Sequence, residues 1–88
     1  MIKQYVIKDL TEQKFLYAGK WWDESTMYTR DVESAAVFDT EEDAESFLNV
    51  PQKDHEWSEY ELFKDDHVYT IVTIFSRFKR DSVGWSTK

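Results

Sequence analysis

Two rhythms of apolar residues, one suited to strands and one to helices, alternate along this chain and mark its elements. Residues 2–8 carry Ile2, Tyr5, Val6 and Ile7, a β-branched and aromatic set that reads as a strand. The polar stretch Asp9-Leu10-Thr11-Glu12-Gln13 then leads into residues 14–20 as a returning strand. With no Asn-Gly or Asp-Gly pair, the type of that turn stays open. Apolar residues fall on both faces of these two strands. They predict a sheet covered by a helix on one side and carrying aromatics on the other. Residues 27–30 suit a short extended piece, residues 31–35 a single helical turn, and Ala36-Val37-Phe38 a short strand-like run.

The strongest local signal follows. Thr40 can cap a helix with Asp43 at the third helical position, or Asp39 can cap one with Glu42 there. Glu41, Glu42 and Asp43 crowd the first turn, where the helix dipole favours negative charge. Ala44, Phe47 and Leu48 form an apolar stripe at i, i+3 and i+4, and Pro51 ends the run. The spacing predicts a helix over 41–49. Beyond a polar linker, residues 57–63 alternate, with Tyr60 and Leu62 against Glu59 and Glu61, and residues 64–67 read as a turn. Residues 68–78 (VYTIVTIFSRF) are apolar on both faces, which predicts a central strand. The expected fold is α+β: a small antiparallel sheet of about four strands with one main helix, 41–49, packed on one face. Residues 1–78 are expected to form a single domain and residues 79–88 a frayed tail.

Composition narrows the classes of function. An 88-residue chain buries a thin core, and 17% aromatic residues supply the bulk that such a core needs. There is no cysteine, which removes disulfide scaffolds, thiolate nucleophiles and cysteine-based zinc sites. No stretch approaches the roughly 20 apolar residues of a membrane span, and Met1-Ile2-Lys3-Gln4-Tyr5 does not start a signal peptide. The cytoplasm is the expected location.

Charge changes the picture further. The net charge is −7, and it is unevenly spread. Between Asp23 and Asp66 fifteen acidic residues face only Arg30, Lys53 and Lys64, whereas both ends are mildly basic. Such a centre repels phosphate backbones and favours basic partners, including proteins that normally hold nucleic acid.

Catalytic and metal chemistry find little purchase. His55 and Glu59 stand four apart, but HEWSE lacks the second His of a zinc-protease helix. Asp65-Asp66-His67 lacks the alternating ligands and Gly of a calcium loop. Seven serines and two histidines come without a Gly-rich elbow, and two glycines form no phosphate cradle. The chain is therefore expected to be no enzyme and to hold no metal or cofactor.

Trp21, Trp22, Tyr28, Trp57, Tyr60 and Trp85 exceed the needs of a small core. Their ordinary role is to fill and edge the sheet; their sharper role is to anchor an interface. Glu41 and Glu45 on one helix face stand about 5–6 Å apart, and Glu59 and Glu61 on one strand face about 6.6–6.8 Å apart. Both spacings resemble successive phosphates. Most charge runs are only solvated faces, and mimicry requires these rows to share one surface.

The layout resembles small phage- and prophage-encoded accessory proteins of β-β-α-β type. The carrying residues are Tyr5-Val6-Ile7-Lys8, Phe15-Leu16-Tyr17, Tyr28 and Tyr69-Thr70-Ile71-Val72. Between them Ala35, Phe38, Asp39, Thr40, Glu42 and Ala44 fit the signature A-x-x-F-[DS]-[ST]-x-E-x-A at the strand-to-helix junction. Trp21-Trp22 and the basic, Trp-bearing segment after Phe75 depart from that pattern. The resemblance implies a protein that binds and disables host factors, as anti-restriction and anti-CRISPR inhibitors do. Read together, these features predict a non-enzymatic module binding a host protein with a basic surface through Glu41, Glu42, Glu45, Glu59, Glu61, Trp22 and Trp57. The alternative is a self-associating structural or assembly protein. Direct nucleic-acid binding through Arg77, Lys79, Arg80 and Trp85 is not expected, since the four cations of this end (Arg77, Lys79, Arg80 and Lys88) on a −7 background release few counterions.

Overall fold

The computed structural model describes residues 1–17, 27–49 and 66–82. It shows a small α+β fold: a four-stranded antiparallel sheet with one helix packed against it. The strands are β1 (Ile2–Asp9), β2 (Lys14–Leu16), β3 (Tyr28–Thr29) and β4 (Tyr69–Ser76), in spatial order β3-β2-β1-β4. A 3-10 turn (Val32–Ser34) and α1 (Glu41–Asn49) lie between β3 and β4. Among the described residues no helix is long and apolar enough to cross a membrane.

β1 is the spine. It pairs over its whole length with β4, from Ile2 opposite Ser76 to Asp9 opposite Tyr69, and at its far end with β2. Period-two alternation sorts its side chains. Ile7 joins Leu16, Met27, Ala36, Phe38, Ala44 and Phe47 in the core beneath α1. Val6 joins Ala35 and Val37 on the opposite face, covered by Phe15, Val72 and Ile74. Most of the packed rings, Tyr5, Tyr28, Phe38 and Phe47, sit on the helix side rather than on the face away from it.

The central position expected for residues 68–78 belongs to β1 instead. Among the described residues β4 has β1 as its one strand neighbour, and none of its side chains is fully buried. An apolar run shows that a strand can be covered on both faces, not that it is. The strand also stops at Ser76, leaving Phe78 exposed.

Local chemistry explains the joints. Asp9 closes the β1–β2 turn by accepting hydrogen bonds at Oδ1 from the N–H groups of Thr11 (2.9 Å) and Glu12 (3.1 Å). Gln13 then takes a left-handed backbone (φ 57°), and its side-chain amide donates to the Leu10 carbonyl at 2.8 Å. Asp31 caps the 3-10 turn through the Glu33 N–H. The run at 35–38 fills the place beside β1 that the short β2 leaves open. Phe38 and Tyr5 exchange both backbone hydrogen bonds there, at 2.8 and 2.9 Å, and the Ala36 N–H reaches the Leu16 carbonyl at 2.7 Å.

Residues 79–82, expected in a frayed tail, are held against this run. The Arg80 guanidinium donates to the carbonyls of Val32 (3.0 Å), Glu33 (2.8 Å) and Ala35 (2.7 Å). The buried Gln4 amide donates to the Arg80 carbonyl and accepts from the Arg80 N–H. The strand expected over 57–63 and the last six residues lie outside the described residues.

Candidate functional site

Helix α1 positions the first candidate surface. The Thr40 hydroxyl accepts from the Asp43 N–H at 3.0 Å, so Thr40 is the cap. Replacing Thr40 with Ala is expected to lower stability by about 1 kcal/mol, read as a shifted denaturation midpoint. With Ala44 and Phe47 buried against the sheet, Glu41, Glu42 and Glu45 all point to solvent. None of the three has an ion-pair partner among the described residues, and the last turn of the helix holds no basic residue. The helix dipole stabilises acids in the first turn, which accounts for Glu41 and Glu42 as structural residues; Glu45 lies beyond that effect. Glu59, Glu61, Trp22 and Trp57, the other residues expected at this surface, lie outside the described residues, as do Trp21 and Trp85.

A second cluster escaped the sequence reading. Asp9, 1% exposed, sits at the far end of the sheet on the helix side, and its Oδ2 lies 2.7 Å from His67 Nδ1. Burial alone would raise the Asp9 carboxyl. The His67 imidazole and the N–H groups of Glu12 and Thr11 outweigh burial and hold the carboxyl below the usual carboxylate range. An ionised carboxylate only accepts, so Nδ1 carries the proton. Nε2 is thereby turned toward Asp66 Oδ1 (3.9 Å) and Glu12 Oε1 (4.0 Å).

Tyr69 stacks on His67 and on Tyr28, with centroids 6.2 and 6.5 Å apart. Burial, then Tyr69, then Asp9 push the Tyr28 hydroxyl well above the usual phenol range, so it stays neutral. A carboxylate-oriented imidazole is the arrangement general bases use. Here its second nitrogen faces two carboxylates. Among the described residues no three His, Asp or Glu side chains are grouped to hold a metal ion. The pair works as a latch: it ties the β1–β2 turn to the start of β4, alongside the Val68 N–H donating to Thr11 Oγ1 at 2.9 Å.

The basic segment divides by role. Arg80 is spent on backbone carbonyls, and Lys79 lies 3.5 Å from Asp39 Oδ2. Asp39 is held below the usual carboxylate range first by the Gln4 amide, against the effect of burial, with Ser82 and Lys79 adding to it. That leaves Arg77 as the one cation of this segment without a partner among the described residues.

No protein-family model, curated protein or solved structure matches the chain.

Proposed function

We propose that this chain is a small, non-enzymatic protein-binding module that presents α1 to a basic, nucleic-acid-binding surface of another protein. The phage-type accessory proteins that its strand-to-helix signature resembles suggest a host factor as that partner, inhibited or modulated by the contact. One observation carries the reading. Glu41, Glu42 and Glu45 form an exposed acidic face, unpaired among the described residues, on a helix anchored by Ala44 and Phe47. Carboxylates carried on a packed helix need no backbone ordering on binding, and they repel nucleic acid while attracting the proteins that hold it. The mechanism is competition for a basic groove, with charge speeding encounter.

The test compares tagged wild-type chain with the triple variant Glu41→Lys, Glu42→Lys, Glu45→Lys in pull-downs from bacterial lysate. The wild type is expected to recover a basic, nucleic-acid-handling protein that added oligonucleotide or moderate salt releases. The variant, with an unchanged far-UV spectrum, is expected to recover over tenfold less, a difference of about 1.4 kcal/mol or more. Equal recovery by both chains removes this face from the mechanism.

A further inference from the structure

Phe75 and Phe78 are 61% and 79% exposed, and Met1 beside them is 89% exposed. Isolated apolar residues on a surface are ordinary, but two phenyl rings and a methionine around one opening are not. They line a shallow groove of about 400 Å³, completed by Ser76, Arg77 and Arg80, where β1 begins and β4 ends. Lys3 sits opposite Phe75 in the β1–β4 register and so projects on the same face of the sheet beside the groove, its Nζ 6.0 Å from the centre of the Tyr5 ring. Lys3 and Arg77 have no carboxylate partner among the described residues, and Lys79 shares Asp39 across 3.5 Å. Glu33 is the acidic residue on the rim.

The same molecule thus carries two sets of opposite charge: Lys3 and Arg77 beside exposed rings, and Glu41, Glu42 and Glu45 on α1. Neither set has an ion-pair partner within the chain among the described residues. A second copy answers both at once. Its helix brings the carboxylates, and the phenyl rings supply the apolar burial that surface ion pairs lack by themselves. We infer that the Met1–Phe75–Phe78 groove, flanked by Lys3 and Arg77, docks the acidic α1 face of a second copy of this chain. The contact is heterologous if the copies add in sequence, and closed if each groove takes the other's helix. A patch of this size belongs with weak, transient interfaces burying under about 1,200 Å². Docking also hides the helix face assigned above to target binding, yet it involves no foreign protein, so the two readings fail separately.

Sedimentation equilibrium of the purified chain tests the inference. Weight-average mass is expected to rise with concentration in about 50 mM salt and to fall back toward monomer in about 500 mM, where the Debye length shrinks severalfold. Lys3→Glu with Arg77→Glu, and separately Glu41→Lys with Glu45→Lys, should each stay monomeric across that range. Combining all four substitutions in one chain keeps the net charge at −7 and should restore association. A 1:1 mixture of the two double variants should associate as well. Phe75→Ser with Phe78→Ser, charges untouched, should weaken association at least tenfold.

A wild-type chain that stays monomeric throughout overturns the inference. So does failure of the quadruple variant and the mixture to associate while their far-UV spectra match wild type. A groove that takes up single-stranded oligonucleotide or anionic vesicles while the chain stays monomeric overturns it too.

Discussion

Replacing Asp9 with Ala is expected to lower the stability of this domain by about 3 kcal/mol, among the largest effects any single polar residue here produces. The carboxylate is buried, and it accepts from His67 and from two backbone N–H groups. Alanine removes all three bonds, loosens the β1–β2 turn, and leaves the imidazole without its 2.7 Å carboxylate partner. For a domain of this size the loss corresponds to a melting temperature lower by roughly 12–24 °C. Asp9→Asn keeps an acceptor for the turn but loses the charge, and should fall between Ala and wild type.

The pH dependence follows from the sign of the shift. The folded carboxyl lies below its ordinary value, so the unfolded chain takes up protons first as pH falls. The Asp9 contribution is therefore complete above the usual carboxylate range and is lost as pH drops through the folded pKa. Urea titrations at stepped pH should show wild-type stability declining across that acidic interval. The Asn variant should decline less. Parallel curves for the two proteins would mean that Asp9 does not carry the acid sensitivity.

Arg80→Ala is the second large loss, about 2–3 kcal/mol. Three charge-assisted hydrogen bonds disappear, and the carbonyl of fully buried Ala35 loses the guanidinium that it accepts from. Lysine carries the same charge but lacks the planar fork that reaches several carbonyls at once, so Arg80→Lys should recover less than half of the loss. Chemical denaturation with an unchanged m-value is the measurement, since the native fold should persist in both variants. A lysine variant as stable as wild type would show that charge near the 3-10 turn, rather than fork geometry, matters. The anchor extends through Gln4, whose amide reaches Asp39 Oδ1 (3.0 Å) as well as the Arg80 backbone.

What could be read from the chain beforehand follows a physical divide. Helix α1 was legible because its determinants are local: a capping Thr40, acids in the first turn, and Ala44, Phe47 and Leu48 at helical spacing. The strands β1 and β4 were legible from their β-branched and aromatic runs, though not which of them is interior. That depends on which other segments arrive beside them, as residues 35–38 arrive beside Tyr5.

Asp9 looked like a loop acid because its main partner, His67, is 58 residues away. Arg80 looked like a tail cation because its three acceptors belong to a turn 45–48 residues earlier. Of the expected surface, Glu41, Glu42 and Glu45 share one helix face, as helical periodicity implies. The exposure of Phe75 and Phe78 had no counterpart in the apolar pattern, since a pattern records what can be buried and not what is.

The long β1–β4 ladder has a kinetic consequence. Its partners stand sixty or more residues apart along the chain, from Asp9 opposite Tyr69 to Ile2 opposite Ser76. Closing so long a loop consumes chain entropy before any ladder bond forms to offset it. During synthesis β1 emerges well before β4 and then waits, its ladder edge unpaired on that side, until residues 69–76 have been made. Helix α1 and the β1–β2 turn can organise while it waits, because their contacts are near neighbours. Completion of the sheet is thus a late event, set by when residues 69–76 appear rather than by how quickly the helix winds.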